Sequence, residues 1–383
     1  MKICILTTGH SPLDDRIYYK EVLSLLNTYS SIFIIAPGTK DEFQNIRDEK
    51  VRFILLKKPS SLRQRLMLVI KGLKAVYTLK PDVVHIHDYE LIFVLPILRH
   101  LLKAKIIYDV HEAYPEMALN SLRIPKIIKP LTAKIVYSCE KLFARFADVI
   151  ITADDNIHSR FIEFHSNVYS IFNYPRMSLF QINRAEVEKL KQRYSGRIPI
   201  IYHGGMSLTK GLFLMLEAME IVKRKRADIV LLLIGSMDKS LLRKVKSEIY
   251  KRDIKDNVEL LGWIPHEKIG NYISICKAGL VCYLPTKKYN KNIPIKQFEY
   301  MACGIPVIGA DLPPIAYYIT KAGCGKLFEP GNPDFLARCI IEIIENEELW
   351  RRMSEAGISA INERWNWRLM EQKLLSIYRN LEC

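Results

Sequence analysis

Four stretches of this chain combine residue types that act together in binding or catalysis. His203-Gly204-Gly205-Met206-Ser207-Leu208-Thr209-Lys210-Gly211 follows the apolar run PIIY and leads into the helical pattern LFLMLEAMEIVKRK. Glycines after a strand let the backbone approach a ligand, a helix start favours an anion, and Lys210 adds a point charge suited to phosphate. The spacing is neither GxxxxGK[ST] nor GxGxxG; the plain alternative is a tight turn with a surface lysine. In NIPIKQFEYMACGIPVI, a proline-started helix ends near Gly304 and runs into a strand. Glu299 sits there among Phe298, Tyr300 and Met301, unlike a solvated charge, and a carboxylate so placed can accept hydrogen bonds from a ribose diol. YDVHEAYPE places His111 and Glu112 just past an apolar strand. VVHIHD ends in His85, His87 and Asp88. The two histidines share a strand face and with Asp88 resemble metal ligands, but no further spacing supports a metal, and polar residues at a cleft rim are the better reading. Asp154-Asp155 opens a helix, which favours N-capping.

The elements that must position these residues alternate regularly. KICILTT, SIFIIAP, VRFILLK, VVHIH, KIIYDV, DVIITA and NVYSIFN read as strands, mostly separated by helical segments. Continuous rather than alternating apolar runs suit parallel strands covered on both faces. The rhythm pauses from Asn173 to Pro199, which holds one short charged helix, and resumes with PIIYHG, IVLLLIG, NVELLGW, GLVCYLP, PVIGA and GKLFE. From Pro333 onward the pattern is helical, with Trp350, Trp365 and Trp367. The expected fold is α/β: two doubly wound, Rossmann-like domains facing a central cleft, spanning residues 1–175 and 176–364, with a C-terminal helix at 365–383 packing back on the first domain. Ligands of such sheets bind at the carboxyl ends of the strands.

The 383 residues are 49% hydrophobic and 26% charged, which excludes a disordered or fibrous chain. The net charge of +16 points to an anionic partner. No nucleic-acid recognition motif accompanies it, so nucleic acid is not expected. Eight cysteines without a CxxC pair read as reduced, mostly buried thiols of a cytosolic protein. No apolar run suits a signal peptide or a membrane span, so the chain is expected to be neither secreted nor transmembrane.

KQFEYMACGIPVIGAD, GGMSLTKG, YDVHEAYPE and GHSPLDDRIYYKE, in their order along the chain, resemble the family 4 (group 1) glycosyltransferases of the GT-B fold, of the type that builds bacterial polysaccharides and cell-surface glycans. The resemblance covers essentially the whole chain. It implies a nucleotide-diphosphate sugar held by the C-terminal domain, an acceptor held mainly by the N-terminal domain, no metal or other cofactor, and retention of configuration. Carried over, Lys210 binds the donor diphosphate with Gly204 and Gly205, and Glu299 holds the ribose. Trp263 and Ile264 lie near the base, and Ile295 and Lys296 complete the donor site. His111 acts beside the transferred sugar as a hydrogen-bond donor. Gly9, Arg16, His87 and Glu112 line the acceptor side. Two departures stand out. The family often has Arg where this chain has Gly205, and a second Glu where it has Lys291, so Lys296 is a candidate for the missing positive charge.

The leading expectation is therefore transfer of a sugar from a nucleotide-diphosphate sugar to a glycan or lipid-linked acceptor. The alternatives are a GT-B nucleotide-sugar epimerase and a catalytically silent, membrane-associated partner of glycan assembly. Val51–Arg145 holds 17 Lys and Arg against 7 Asp and Glu, and Ser61–Tyr77 mixes bases with large apolar residues at helical spacing. Arg123, Lys126, Lys129 and Lys134 follow among apolar neighbours. The first domain is thus expected to rest on an anionic membrane surface, placing the protein in the cytoplasm, peripheral to the inner face of the membrane.

Overall fold

The computed structural model describes residues 1–39, 41, 49–121, 124–177 and 182–382. The chain forms two compact units, Met1–Asn173 with Trp367–Cys383, and Tyr174–Asn366.

In the first unit the apolar runs become β1 (Lys2–Leu6), β2 (Ser31–Pro37), β3 (Val51–Leu56), β4 (Val83–Ile86), β5 (Lys105–Val110), β6 (Val149–Thr152) and β7 (Val168–Ser170). They build one parallel sheet in the order β3-β2-β1-β4-β5-β6-β7. The order reverses between β1 and β4, so the loops following those two strands diverge and leave a crevice at their carboxyl ends. The side chains of Ile3, Cys4, Ile5 and Leu6 are wholly buried, as expected for a strand covered on both faces. The terminal helix Trp367–Asn380 belongs to this unit, where Trp367 donates its indole N–H to Ser24 Oγ at 2.8 Å.

In the second unit β8 (Ile198–His203), β9 (Ile229–Ile234), β10 (Val258–Gly262), β11 (Gly279–Val281), β12 (Val307–Ala310) and β13 (Gly325–Phe328) form a parallel sheet ordered β10-β9-β8-β11-β12-β13. The order reverses between β8 and β11. The glycine-rich loop after β8 therefore stands at a switch point, as does the loop after β1. Gly235, after β9, has φ +144°, and a Cβ there would stand 2.1 Å from the Gly204 carbonyl oxygen. A side chain at 235 would push the glycine-rich loop out of place.

Among the described residues no helix is long and apolar enough to cross a membrane. The described cysteines are all free thiols, five of the seven fully buried.

Candidate active site

Two groups of functional side chains emerge, one in each unit, both at strand carboxyl ends.

In the second unit Lys210 closes a single 3-10 turn, Leu208–Lys210, and donates from Nζ to the Gly205 carbonyl at 2.9 Å. Lys296 opens the helix Lys296–Ala302, with its Nζ 3.6 Å from the centroid of the Tyr202 ring and 3.5 Å from where a Cβ on Gly204 would stand. The Lys296 ammonium is buried and has no hydrogen-bond acceptor among the described residues. Burial first, then the nearby Lys210 charge, push its pKa well down, with Glu299 opposing. Burial and Lys288 lower that of Lys210. Two ammonium groups thus converge on the Gly204-Gly205 backbone, an arrangement suited to a multiply charged anion.

Glu299 lies beside them, and its two oxygens meet His203 Nε2 at 3.0 Å and His266 Nε2 at 3.1 Å. Burial would raise this carboxyl, but the His203 charge and the two histidine contacts outweigh it and hold the group well below the usual carboxylate range. A carboxylate has about four lone-pair sites, so Glu299 can still accept from a ligand diol. Neither histidine was assigned a role from sequence. His203 was read only as part of the glycine loop, and His266 opens the helix His266–Ser274 that follows β10, 33 residues before Glu299. Trp263, just after β10, is 72% exposed, and Ile264 and Ile295 are half-buried.

In the first unit His111 follows β5, and its Nε2 lies 3.0 Å from His87 Nδ1. His10, on the loop after β1, stacks obliquely against it with ring centroids 5.1 Å apart. His10 also carried no role in the sequence reading. Burial opposes its charged form, but the hydrogen bond and charge of Asp14, with Asp88 and Asp109, raise its pKa. Gly9 is exposed on this loop, where its N–H donates to Asp88 Oδ2 at 3.1 Å. Glu112 is half-buried.

The disfavoured metal reading of His85, His87 and Asp88 finds no support in the position of Asp88, and the expected acceptor-side placing of Arg16 and His87 needs correction. Asp88 does not join His85 and His87. It turns to the β1 loop and accepts from Thr7 Oγ1 at 2.6 Å and Thr8 N at 2.7 Å, because it stands past the end of β4, where the strand alternation no longer governs it. Arg16, expected to line the acceptor side, is turned inward and buried. It grips both oxygens of Asp109 at 2.8–3.2 Å and Glu21 Oε1 at 2.9 Å. His87 is likewise fully buried, with its Nδ1 against His111 Nε2. Asp154 caps the helix Asp155–Phe161 as read from sequence, accepting from Ile157 N at 2.8 Å.

One set of side chains has metal-ligand composition: Glu21, His85, His87 and Asp109 gather their ligand atoms within 4.8 Å of one another. The Arg16 guanidinium already occupies both carboxylates, so the set is an ion-paired polar core as it stands.

Comparison with known proteins agrees with this layout. The model for glycosyl transferases group 1 matches residues 183–360, and that for glycosyltransferase family 4 matches residues 30–173. The chain belongs to the family 4, group 1 glycosyltransferases. Among curated relatives, a GDP-mannose-dependent monoacylated alpha-(1-6)-phosphatidylinositol monomannoside mannosyltransferase of Corynebacterium glutamicum is 25% identical over 177 residues, 45% of this chain and 44% of the relative. The amylovoran biosynthesis glycosyltransferase AmsK of Erwinia amylovora is 25% identical over 194 residues, 50% and 47% of the two chains. The chain spans a little under half the length of the curated relatives it matches. Among solved structures, HepE of Anabaena in complex with UDP and glucose superposes with a TM-score of 0.78 at 16% identity, covering 99% of this chain and 100% of that one. Sucrose-phosphate synthase of Thermosynechococcus elongatus gives 0.77 at 18% identity, covering 99% of this chain and 98% of that one. Both units thus have the GT-B fold type expected from sequence.

Proposed function

We propose that this protein transfers a glycosyl group from a nucleotide-diphosphate sugar to a glycan or lipid-linked acceptor, with retention and without a metal. The observation that carries this is the pair of ammonium groups, Lys210 and Lys296, converging on the Gly204-Gly205 backbone beside the Glu299 carboxylate. As the glycosidic bond breaks, negative charge grows on the departing diphosphate, and fixed cations aimed there stabilise the transition state. The two lysines supply the charge that a divalent cation would otherwise bring. Lys296 stands in for the arginine that Gly205 replaces. Glu299 takes the ribose hydroxyls, Trp263 and Ile264 flank the base, and His111 acts next to the transferred sugar. The Anabaena relative was solved with UDP and UDP-glucose, and the Corynebacterium relative is GDP-mannose-dependent, which supports a nucleotide-sugar donor while leaving base and sugar to experiment. A thermal-shift screen of nucleoside diphosphates, followed by transfer assays with and without EDTA, tests the reading. Saturable stabilisation by a nucleoside diphosphate and EDTA-insensitive transfer are expected. Activity abolished by EDTA and restored by magnesium overturns the metal-free part.

We further propose that the first unit rests on an anionic membrane from the cytoplasmic side. The helix Leu62–Leu79 turns Leu66, Met67, Ile70 and Tyr77 to solvent, and the helix Lys129–Phe143 does the same with Leu131, Ile135 and Leu142. Lys71, Lys74 and Lys134 are exposed on these helices and Lys129 is half-buried, while Arg123 lies outside the described residues. Outward apolar stripes flanked by bases fit a headgroup interface rather than water. Ile70, Leu73, Tyr77, Leu98, Leu101 and Leu102 line an open apolar groove of about 310 Å³ on the first unit.

A further inference from the structure

We propose that His111 meets its substrate through Nδ1, as a hydrogen-bond acceptor, because His87 and Asp109 hold it in the Nε2–H tautomer, and that His85 and Tyr378 are positioning residues for this arrangement. The proposal rests on the placement of His111 in the transfer site.

Asp109 is fully buried, and the Arg16 guanidinium bonds both its oxygens, so it is ionised. Its Oδ1 stands 3.5 Å from His111 Nε2. A lone pair at that nitrogen would face a negative oxygen, whereas an N–H would face it favourably. His111 Nε2 therefore carries the proton and donates it to His87 Nδ1 at 3.0 Å. His87 is then protonated on Nε2, which lies buried 3.7 Å from Glu21 Oε2. The opposite assignment would aim the lone pair of His111 Nε2 at the ionised Asp109 oxygen. The ring nitrogen of His111 left for a ligand is Nδ1, with its lone pair.

The same reasoning fixes His85. Its Nε2 stands 3.7 Å from Asp109 Oδ2 and carries the proton, so its Nδ1 accepts from the Tyr378 hydroxyl at 2.8 Å. His85 stacks on His87 with centroids 4.3 Å apart and planes at 29°. Burial keeps both rings neutral. Tyr378 comes from the terminal helix, nearly three hundred residues away in sequence, and is itself wholly buried. It thus pins His85, which supports the ring that accepts from His111. An orienting carboxylate that sets a histidine tautomer is a recurring device in catalytic and metal sites.

The test uses the full chain. An Asn side chain places its amide near the position of Nδ1, and a Gln reaches toward Nε2. Transfer by His111→Asn should exceed that by His111→Gln by roughly tenfold, the worth of about one hydrogen bond. In wild-type protein labelled with ¹⁵N-histidine, the His111 Nδ1 resonance should have the shift of an unprotonated ring nitrogen. Tyr378→Phe should shift the ¹⁵N signals of His85 and His111 and lower kcat while leaving donor KM unchanged. An Nδ1–H tautomer for His111, or His111→Gln at least as active as His111→Asn, overturns the proposal. If both His111 variants transfer like wild type, the placement of His111 in the reaction fails instead, while the nitrogen spectrum still decides the tautomer.

Discussion

The Lys296 ammonium stands 3.6 Å from the centre of the Tyr202 ring, buried and without a hydrogen-bond acceptor among the described residues. A second ring, Tyr283, lies 5.6 Å away. Cation–π attraction of this kind contributes about 2 kcal/mol when desolvated, less than an unpaired buried charge costs. The lysine is therefore held at the expense of stability, as binding sites for anions often are.

Lys296→Met should accordingly separate stability from binding. Its melting temperature should stay level or rise by a few degrees, roughly 2–4 °C per kcal/mol for a unit of this size, while affinity for the nucleoside diphosphate falls. The folded-state pKa of Lys296 is depressed, so the cost of burying its charge falls as pH rises from the folded value toward the unfolded value near 10.5 and is gone above it. The stability gained by the substitution should shrink over the same alkaline range. Calorimetry at pH 7 and pH 10 measures it, and a large loss of stability at pH 7 contradicts the account.

Lys210→Ala should behave differently, since this lysine is only partly enclosed and bonds the Gly205 carbonyl. Removing one preorganised donor to a developing oxyanion costs roughly 2–4 kcal/mol in the transition state, or about 10²–10³ in rate. Glu299→Gln should weaken nucleotide binding more than fold stability. Gln can still accept from one of His203 and His266, but it loses the charge that favours both. Transfer kinetics beside melting curves distinguish these effects, and full activity in both variants refutes the donor-site assignment.

The His10–Asp14 pair gives a pH signature. The ring and carboxylate meet at 3.1 Å, and Asp14 is driven down to about 2: burial opposes the shift, but the hydrogen bond and charge of His10 outweigh it. The His10 pKa is raised in the fold, so its contribution is full below the unfolded value of 6.5 and is lost as pH rises through the folded value. Asp14→Asn keeps an N-cap acceptor for Arg16 N and Ile17 N. It should lower the His10 pKa in an NMR titration and destabilise the protein more at pH 6 than at pH 8. Asp88, Asp109 and His111 also act on or touch this ring, so a partial fall is expected.

Much of the fold was legible because parallel strands covered on both faces must be apolar throughout. All thirteen strands coincide with such runs, from KICILTT to GKLFE. Lys210 and Glu299 stand out as candidates for a related reason: charges set among glycines or apolar side chains have little local explanation, whereas Lys296 is singled out only by the departures from the family pattern. What sequence could not show was partnership over distance. His266 reaches Glu299 from the helix after another strand, and Tyr378 reaches His85 from the terminal helix. Nothing local separates an arginine that faces a ligand from one that turns inward to a buried aspartate, and so Arg16 was placed on the wrong side. The preferred sequence reading of His85, His87 and Asp88 as hydrogen-bonded polar residues could not show that Asp88 turns to the β1 loop, since strand alternation stops at Ile86.

The exposed helices of the first unit supply the last prediction. Ile127 is 89% exposed and Ile70 68% exposed. Neither contributes appreciably to a core, and replacing either by Asp should leave the melting temperature nearly unchanged, within about 0.5 kcal/mol. Each change removes apolar contact with a headgroup layer and adds a charge of the same sign as an anionic surface. Loss of Lys71 or Lys74 should weaken binding by about 1 kcal/mol each on such a surface. Co-sedimentation with vesicles of anionic and of neutral lipid decides the matter. Wild type should pellet with the anionic vesicles only and release as salt rises, because exposed charges are screened. Ile70→Asp and Ile127→Asp should pellet less at every salt concentration. Equal absence of wild type from both pellets at low salt refutes membrane binding. Oligomerisation abolished by the same two substitutions would assign the apolar stripes to contact between copies of the chain.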